Sequence, residues 1–194
     1  MLWVMNALWC WMIYTIIIVL YVQRKRKETV DMPVKRISAH DALLRLSALC
    51  SRREQCCYDM ERKMCQWKMS QKDIAEVMEK LISARFVDDR RYAEAYANDK
   101  MRYDRWGPRK IDQMLWSKHI PDDIRSEVLA AIDDEEWVSQ LGTLLKSRMR
   151  SLSSLSPADR NRRLLRFAMG RGFSYAHFIR CIDTTEGLPE EDDY

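Results

Sequence analysis

The sequence predicts an all-α protein, made of three tandem three-helix repeats that form an elongated, curved array. The chain of 194 residues has only five glycines and five prolines, which is too few for an all-β protein with many turns. Apolar residues make up 47% of it and charged residues 32%, a composition that suits a globular helical fold. The decisive observation is a helix–turn–helix pattern that returns after about fifty residues.

The repeat is visible in three short strings that each separate two apolar stretches. These strings are 67–70 (WKMS), 117–121 (SKHIP) and 171–174 (RGFS). Before each string stand two apolar residues at i and i+4, a spacing that places both on one face of a helix. The pairs are Met60/Met64, Ile111/Leu115 and Leu164/Ala168. We therefore expect one helix before each string and another helix after it.

Helix-start signals accompany the strings. Ser70 and Ser174 can cap the helices that follow them, and Pro121 suits a first-turn position beside Asp122 and Asp123. Apolar residues then continue at helical spacing. They are Ile74, Val77, Met78, Leu81 and Ile82; Ile124, Val128, Leu129 and Ile132; Phe178, Ile179 and Ile182.

Each repeat is also predicted to open with a helix of its own. The first starts near Ser38, with Leu43, Leu46 and Leu49 as its apolar stripe. The predicted opening helix of the second repeat runs from Asp88 to about Arg105, with Asp88 or Asp89 as cap and Tyr92, Ala93, Tyr96 and Met101 facing inward. That of the third runs from about Asp134 to Met149, with Trp137, Leu141, Leu144 and Leu145 on one side, before a loop and a cap at Ser156. The repeats are then 38–86, 87–133 and 134–183.

The boundary between the first two helices of the second repeat is predicted at Gly107-Pro108. Glycine there would supply a left-handed terminal residue, and proline would begin the next helix.

Residues 1–31 form a hydrophobic leader with a basic flank. Residues 2–22 carry no charge, and basic residues follow at 24–27, a pattern typical of a single-pass anchor with a cytoplasmic carboxyl side. The competing interpretation is that translation begins at Met32 and that the leader is an artefact of the assigned start. Both interpretations place the rest of the chain in the cytoplasm, and mass spectrometry of the native amino terminus would separate them.

Charge is distributed unevenly along the chain. The formal net charge is +4, yet residues 32–182 carry +8 and residues 183–194 carry −6. A basic body suggests a polyanionic partner. The acidic tail, 184–194, is either a weak internal competitor for that partner or a solvated end.

Catalytic patterns are absent from the sequence. His40, His119 and His177 are far apart, without matching carboxylate or cysteine spacing. Paired aspartates at 88–89 and 133–134 stand at helix starts, where capping explains them. The cysteines lack the paired spacing of zinc sites and are expected to be reduced and mostly buried. We therefore expect no enzyme activity, no cofactor and no metal site. The six cysteines are Cys10, Cys50, Cys56, Cys57, Cys65 and Cys181.

Basic side chains of the second and third repeats are the candidate binding residues. Arginine forks bind phosphate in bidentate fashion, and exposed aromatic rings stack on bases. Such contacts to phosphate are largely independent of base sequence and sensitive to salt. The candidates are Arg102, Arg105, Arg109, Lys110, Lys118, Arg162, Arg163, Arg166 and Arg171.

Three motifs in this order resemble those of one family. FVDD at 86–89 with RYAEAY at 91–96 is similar to FxDDxRFAxxY of the RecX regulatory proteins. GPRKI at 107–111, with Leu115 and KHI at 118–120, resembles that family's GPxRIxxxLxxKGI, with His119 in place of the usual glycine. RGFSY at 171–175 resembles its RGFxxxxI. The resemblance covers about residues 40–183, and the hydrophobic leader departs from it.

The resemblance implies a modulator of RecA, mainly an inhibitor, that acts in recombination, DNA repair and the SOS response. It implies three three-helix repeats lying in the groove of the RecA filament on single-stranded DNA, and no catalysis. We expect a monomer, with a membrane contact only if residues 2–22 are translated. Two alternatives stay open: a membrane-anchored helical adaptor, and a general nucleic-acid-binding module without RecA contact.

Overall fold

The protein, described by a computed structural model over residues 37–188, is all-helical in that range, with nine helices and no strand. None of these helices has the length and apolar character needed to cross a membrane. The leader at 1–31 and the last residues, 189–194, lie outside the described range. The helices are α1 (Ala39–Cys50), α2 (Cys57–Gln66), α3 (Gln71–Ser83), α4 (Asp89–Arg102), α5 (Pro108–Trp116), α6 (Asp122–Ala130), α7 (Asp134–Arg150), α8 (Pro157–Gly170) and α9 (Tyr175–Ile179).

The helices pack in threes. α1 and α2 each contact α3, while α4 to α6 contact one another, as do α7 to α9. The extensive helix–helix contacts of the described part all fall within these groups. The prediction of an all-α fold with tandem three-helix repeats is confirmed. We propose 38–86, 87–133 and 134–183 as the three domains. The elongated, curved arrangement stays a prediction that solution scattering can check.

Side-chain caps begin most of the helices where the sequence predicts them. Ser70, Asp88, Ser156 and Ser174 each accept a hydrogen bond from the backbone N–H three residues ahead. These bonds satisfy N–H groups that the first turn of a helix leaves without partners. Pro121 stands at the N-cap of α6, just before the first turn.

The three strings form the same turn. Lys68, His119 and Gly172 all have left-handed backbones, with φ of 56°, 58° and 90°. The next residue in each case donates its N–H to a carbonyl five residues earlier. These bonds are Met69 to Met64 (3.2 Å), Ile120 to Leu115 (3.2 Å) and Phe173 to Ala168 (3.1 Å). This pattern closes a helix at a left-handed residue, so the repeat seen in the sequence extends to backbone geometry.

The role predicted for Gly107 is wrong. Gly107 has an ordinary φ of −84° and is the N-cap of α5. The left-handed residue is instead Arg105, with φ of 55°, and α4 ends at Arg102 rather than near Arg105. A different requirement, the close approach of another backbone, demands glycine at 107.

The second and third repeats share one apolar interior. Ile111, Leu115 and Phe173 are fully buried in a continuous cluster that joins both repeats. The first repeat buries its own residues, among them Met60 and Met64. Its predicted stripe is shifted, because Ala42 and Leu46 are buried whereas Leu43 and Leu49 are only half-buried. Met69, which is the equivalent of Ile120 and Phe173 in the first repeat, is also half-buried.

The cysteines within the described range are all free thiols. Cys56 is buried, Cys65 is exposed and the others are half-buried, so the expectation of mostly buried thiols is wrong. Burial raises the pKa of Cys56 to about 11 and that of Cys57 to about 12. Both thiols therefore stay protonated at neutral pH, which makes them poor nucleophiles.

The first residues of the acidic tail pack against α8. Asn161, only 3% exposed, donates from its side-chain amide to the carbonyls of Thr184 (2.9 Å) and Glu186 (3.1 Å). A Cβ at Gly187 would lie 2.4 Å from the Cβ of Ala158. Residues 184–188 are thus bound to the fold, although 184–187 are exposed to solvent.

Candidate nucleic-acid interface

The second and third repeats meet where two turns touch through their backbones. The N–H of Gly107 donates to the carbonyl of Arg171 (2.8 Å), and the N–H of Arg109 donates to the carbonyl of Gly172 (3.1 Å). A Cβ at Gly107 would lie 2.5 Å from the carbonyl carbon of Gly172, and one at Gly172 would lie 2.4 Å from the Cβ of Lys110. Only glycine permits this approach. The contact, here called the glycine joint, fixes the start of α5 against the end of α8.

Arginine side chains reinforce the glycine joint. Arg171 donates from Nη1 to the carbonyl of Asp104 (2.7 Å), and its guanidinium lies 5.4 Å from the ring centroid of Phe167. Arg105 donates to Oε1 of Gln140 on α7. Arg171 and Arg105 were predicted as binding residues, and their contacts give them a structural role as well.

Next to the glycine joint, two shallow grooves are lined by basic side chains. The first, between α5 and the end of α8, is lined by Arg109, Lys110, Gln113, Met169, Gly170 and Gly172. The second is lined by Arg148, Leu152, Arg163 and Arg166. Positions 163, 166 and 170 share one face of α8, so the two grooves adjoin. We call the combined area of these lining residues the α5–α8 surface.

The charges on this surface are available to a ligand. Arg109, Arg163 and Arg166 are exposed, and none of them forms an ion pair with another residue of 37–188. The ammonium of Lys110 lies 4.5 Å from the ring centroid of Trp106, which orients it. Exposed guanidinium groups on one surface suit bidentate contacts to phosphate.

Other predicted binding residues lie elsewhere or are already paired. Lys118 contacts both carboxylate oxygens of Asp59 at 2.8 Å, and so ties the second repeat to the first. Arg162 pairs with Asp159 at 2.7 Å. Arg102 is exposed at the end of α4 and lines neither groove.

The structure adds one basic residue that the prediction omitted. Arg148 is exposed on α7, and its guanidinium lies 5.8 Å from the ring centroid of Phe167. Helical spacing could have grouped Arg163 with Arg166, because they are three residues apart on α8. Nothing in the local sequence places Arg148 beside them, since that proximity depends on how α7 packs on α8.

The paired state of Lys118 leads to a prediction about stability. Because Lys118 and Asp59 are only 22% and 16% exposed, we expect Lys118→Met to lower the free energy of unfolding by about 1–2 kcal/mol. Affinity for single-stranded DNA should not change. Urea unfolding and fluorescence anisotropy measure the two effects, with the exposed Lys72→Met as control. A drop in affinity without loss of stability would restore Lys118 as a binding residue.

A serine, a histidine and an aspartate meet at the start of α9 without forming a catalytic triad. Nδ1 of His177 accepts from the backbone N–H of Ser174 (3.3 Å), and Nε2 lies 2.9 Å from Oδ1 of Asp134. Ser174 Oγ accepts from the backbone N–H of His177 (3.1 Å). Both ring nitrogens are therefore engaged and neither can deprotonate the hydroxyl. The group caps α9 and ties it to α7.

The same contacts predict a dependence of stability on pH. The hydrogen bond from His177, followed by that from Arg180, lowers the pKa of Asp134 below its ordinary 3.8. The folded protein thus binds a proton at Asp134 less tightly than the unfolded chain does. The charged Asp134 carboxylate therefore stabilises the fold above pH 3.8, and this stabilisation is lost as the pH falls below that value. We expect Asp134→Asn to lower the urea midpoint at neutral pH, and the difference from the wild type to shrink below about pH 4. The exposed Asp183→Asn serves as control, and a difference that is constant with pH would contradict the prediction.

Comparison with known proteins agrees with the motifs. Residues 88–129, which comprise α4, α5 and most of α6, match the family model described as RecX, second three-helix domain. Over these residues the chain is therefore similar to RecX proteins. GPRKI, inside the matched range, supplies one side of the glycine joint, and RGF at 171–173, outside that range, supplies the other.

Curated relatives are called regulatory protein RecX. The one from Lactobacillus johnsonii is 27% identical over 116 residues, which cover 60% of this chain and 43% of the relative. The one from Oceanobacillus iheyensis is 25% identical, over 64% of this chain and 47% of the relative. The chain thus spans about half the length of these relatives.

Solved structures of RecX proteins share the fold. The crystal structure of RecX from Lactobacillus salivarius has a TM-score of 0.69 at 23% identity, covering 74% of this chain and 93% of that one. A second structure, of regulatory protein RecX, has a TM-score of 0.66 at 19% identity, covering 75% of this chain and 74% of that one.

Proposed function

We propose that this RecX-like protein modulates RecA, mainly as an inhibitor, by binding in the groove of the RecA filament on single-stranded DNA. The family-model match over residues 88–129 and the motif resemblance support RecA as the partner. The relatives' name, regulatory protein, supports a non-enzymatic role. The protein acts as a cytoplasmic monomer and uses no cofactor.

The observation that carries the proposal is the α5–α8 surface. It crosses from one repeat to the next, and the glycine joint holds its two sides in a fixed relation. A preformed basic surface of this kind fits an extended polyanion without a large ordering cost. Bound in the groove, the protein would bridge or block successive RecA subunits, and so restrain filament growth and ATP-driven strand exchange.

A second candidate, a general nucleic-acid-binding module, uses the same surface without contacting RecA. It predicts equal affinity for single-stranded DNA with and without RecA, whereas a filament modulator binds the filament more tightly than bare DNA. The membrane-anchored adaptor depends on residues 2–22, which lie outside the described range.

The test measures ATP hydrolysis by RecA on single-stranded DNA while the full chain is titrated in. A version that begins at Met32 is assayed in parallel, because it removes the hydrophobic leader. We expect slower hydrolysis at amounts well below one protein per RecA. Unchanged hydrolysis with both versions at saturating concentrations would reject the proposal.

A further inference from the structure

We propose that the basic face of α5 selects single-stranded over duplex nucleic acid, with Trp116 as the platform on which a base stacks. The inference rests on the nucleic-acid contact of the proposed function and deepens it, because it adds a means of distinguishing unpaired bases from a duplex. It concerns a side chain that neither the charge pattern nor the motif resemblance singled out.

Trp116 stands on the solvent side of α5. Ile111 and Leu115 are fully buried on one side of this helix, while Arg109, Gln113 and Trp116 lie on the other. Trp116 is 66% exposed. Seven residues of helix separate it from Arg109, a rise of about 10 Å. A strand whose phosphate contacts Arg109 can therefore bring a neighbouring base to the indole ring.

A single exposed apolar side chain usually needs no explanation, but two facts set Trp116 apart. It and Tyr103, 81% exposed, are the most exposed large apolar side chains of the described part, and they bracket the basic helix α5. In addition, the carboxylate of Asp112, the nearest acid on α5, is held by Arg125 at 2.8 Å. The phosphates of a bound strand therefore meet little repulsion there.

Other aromatic rings near the surface are less available for stacking. The ammonium groups of Lys100 and Lys110 lie 4.9 Å and 4.5 Å from the ring centroid of Trp106, and Lys100 also lies 5.5 Å from that of Tyr96. Cations already contact these rings, whereas Trp116 is open to solvent. Stacking on an aromatic ring tolerates any base and requires that the base be unpaired. The expected ligand is therefore a single strand without sequence preference.

The test uses the full chain and three fluorescent ligands of equal length: oligo-dT, an abasic strand with the same phosphate backbone, and a duplex. Trp116→Ala should weaken binding to oligo-dT about ten-fold, while binding to the abasic strand and to the duplex stays unchanged. Trp116→Phe, which retains a ring, should recover most of the affinity. Leu44→Ala, which truncates a side chain that is 57% exposed in the first repeat, is the matched control.

The outcomes separate this inference from the proposed function. Equal affinity of Trp116→Ala and the wild type for oligo-dT would overturn the stacking role, as would an equal loss on the abasic strand. Inhibition of RecA is measured on the same variants. If the wild type inhibits RecA but Trp116→Ala binds oligo-dT normally, only the stacking role fails. If the wild type binds oligo-dT through Trp116 yet leaves RecA unaffected, the proposed function fails and the stacking role stands.

Discussion

Replacing Gly172 by alanine should destabilise the protein by about 3 kcal/mol. The backbone of Gly172 has φ of 90°, a conformation that costs a residue with a Cβ about 1–2 kcal/mol. The new methyl group would also lie 2.4 Å from the Cβ of Lys110 and 2.5 Å from its backbone nitrogen. Those atoms belong to α5, so relief requires the two repeats to separate, which adds a similar amount. Urea unfolding followed by circular dichroism measures the change.

Gly170 provides the matched control, two residues earlier on the same chain segment. A Cβ there would meet no atom within 4 Å, and Gly170 is the last residue of α8. Gly170→Ala should be neutral or stabilising by up to about 1 kcal/mol, because it restricts the unfolded chain. An equal change in the free energy of unfolding for Gly172→Ala and Gly170→Ala would show that the two backbones do not approach closely at the glycine joint. Gly107→Ala should behave like Gly172→Ala, since its Cβ would lie 2.5 Å from the backbone of the third repeat.

The features predicted from the sequence are those set by nearby residues. The pair Ile111/Leu115 lies on one helical face whatever surrounds it, and both residues are fully buried. Ser70 and Ser174 cap the helices that follow, because capping involves only the next three residues. His119 stands in for glycine at a left-handed turn, where its ring stacks on Tyr58 with centroids 4.4 Å apart.

The contacts between repeats could not be predicted in this way. A glycine between two helices, such as Gly107, can be required by a left-handed backbone or by the close approach of another part of the chain, and the local pattern favours the first reason. In the structure, the close approach is what requires glycine at 107. The atoms that exclude a side chain there belong to Gly172 and Phe173, in another repeat. The merging of two apolar interiors into one cluster follows from that approach as well.

Only part of the candidate site could be predicted, because contacts between residues that are distant in the chain determine the rest. Charge density indicates which segments are basic, but an ion pair with a distant acid decides whether a given charge is available. Lys118 is engaged by Asp59, 59 residues earlier in the chain, whereas Arg163 and Arg166 lie on an exposed face of α8. Arg148 joins that face only through tertiary packing.

The second prediction with a large effect concerns the charge of the α5–α8 surface. The double substitution Arg163→Glu/Arg166→Glu should weaken binding to single-stranded DNA about 100-fold at low salt, because two favourable phosphate contacts become repulsive. The dependence of log affinity on log salt concentration should become shallower by about 1–2 units, since fewer counterions are released. Fluorescence anisotropy at several salt concentrations measures both quantities. Inhibition of RecA should fall in parallel.

The control for this prediction must change the net charge by the same amount elsewhere. Arg45→Glu/Lys72→Glu does so, because both residues are exposed in the first repeat and line neither basic groove. It should weaken binding only a few-fold, through the long-range field of the protein. If both double variants lose affinity equally, net charge alone governs binding and the α5–α8 surface is not the site. If only Arg163→Glu/Arg166→Glu loses affinity while its urea midpoint is unchanged, the DNA contact lies on this face of α8.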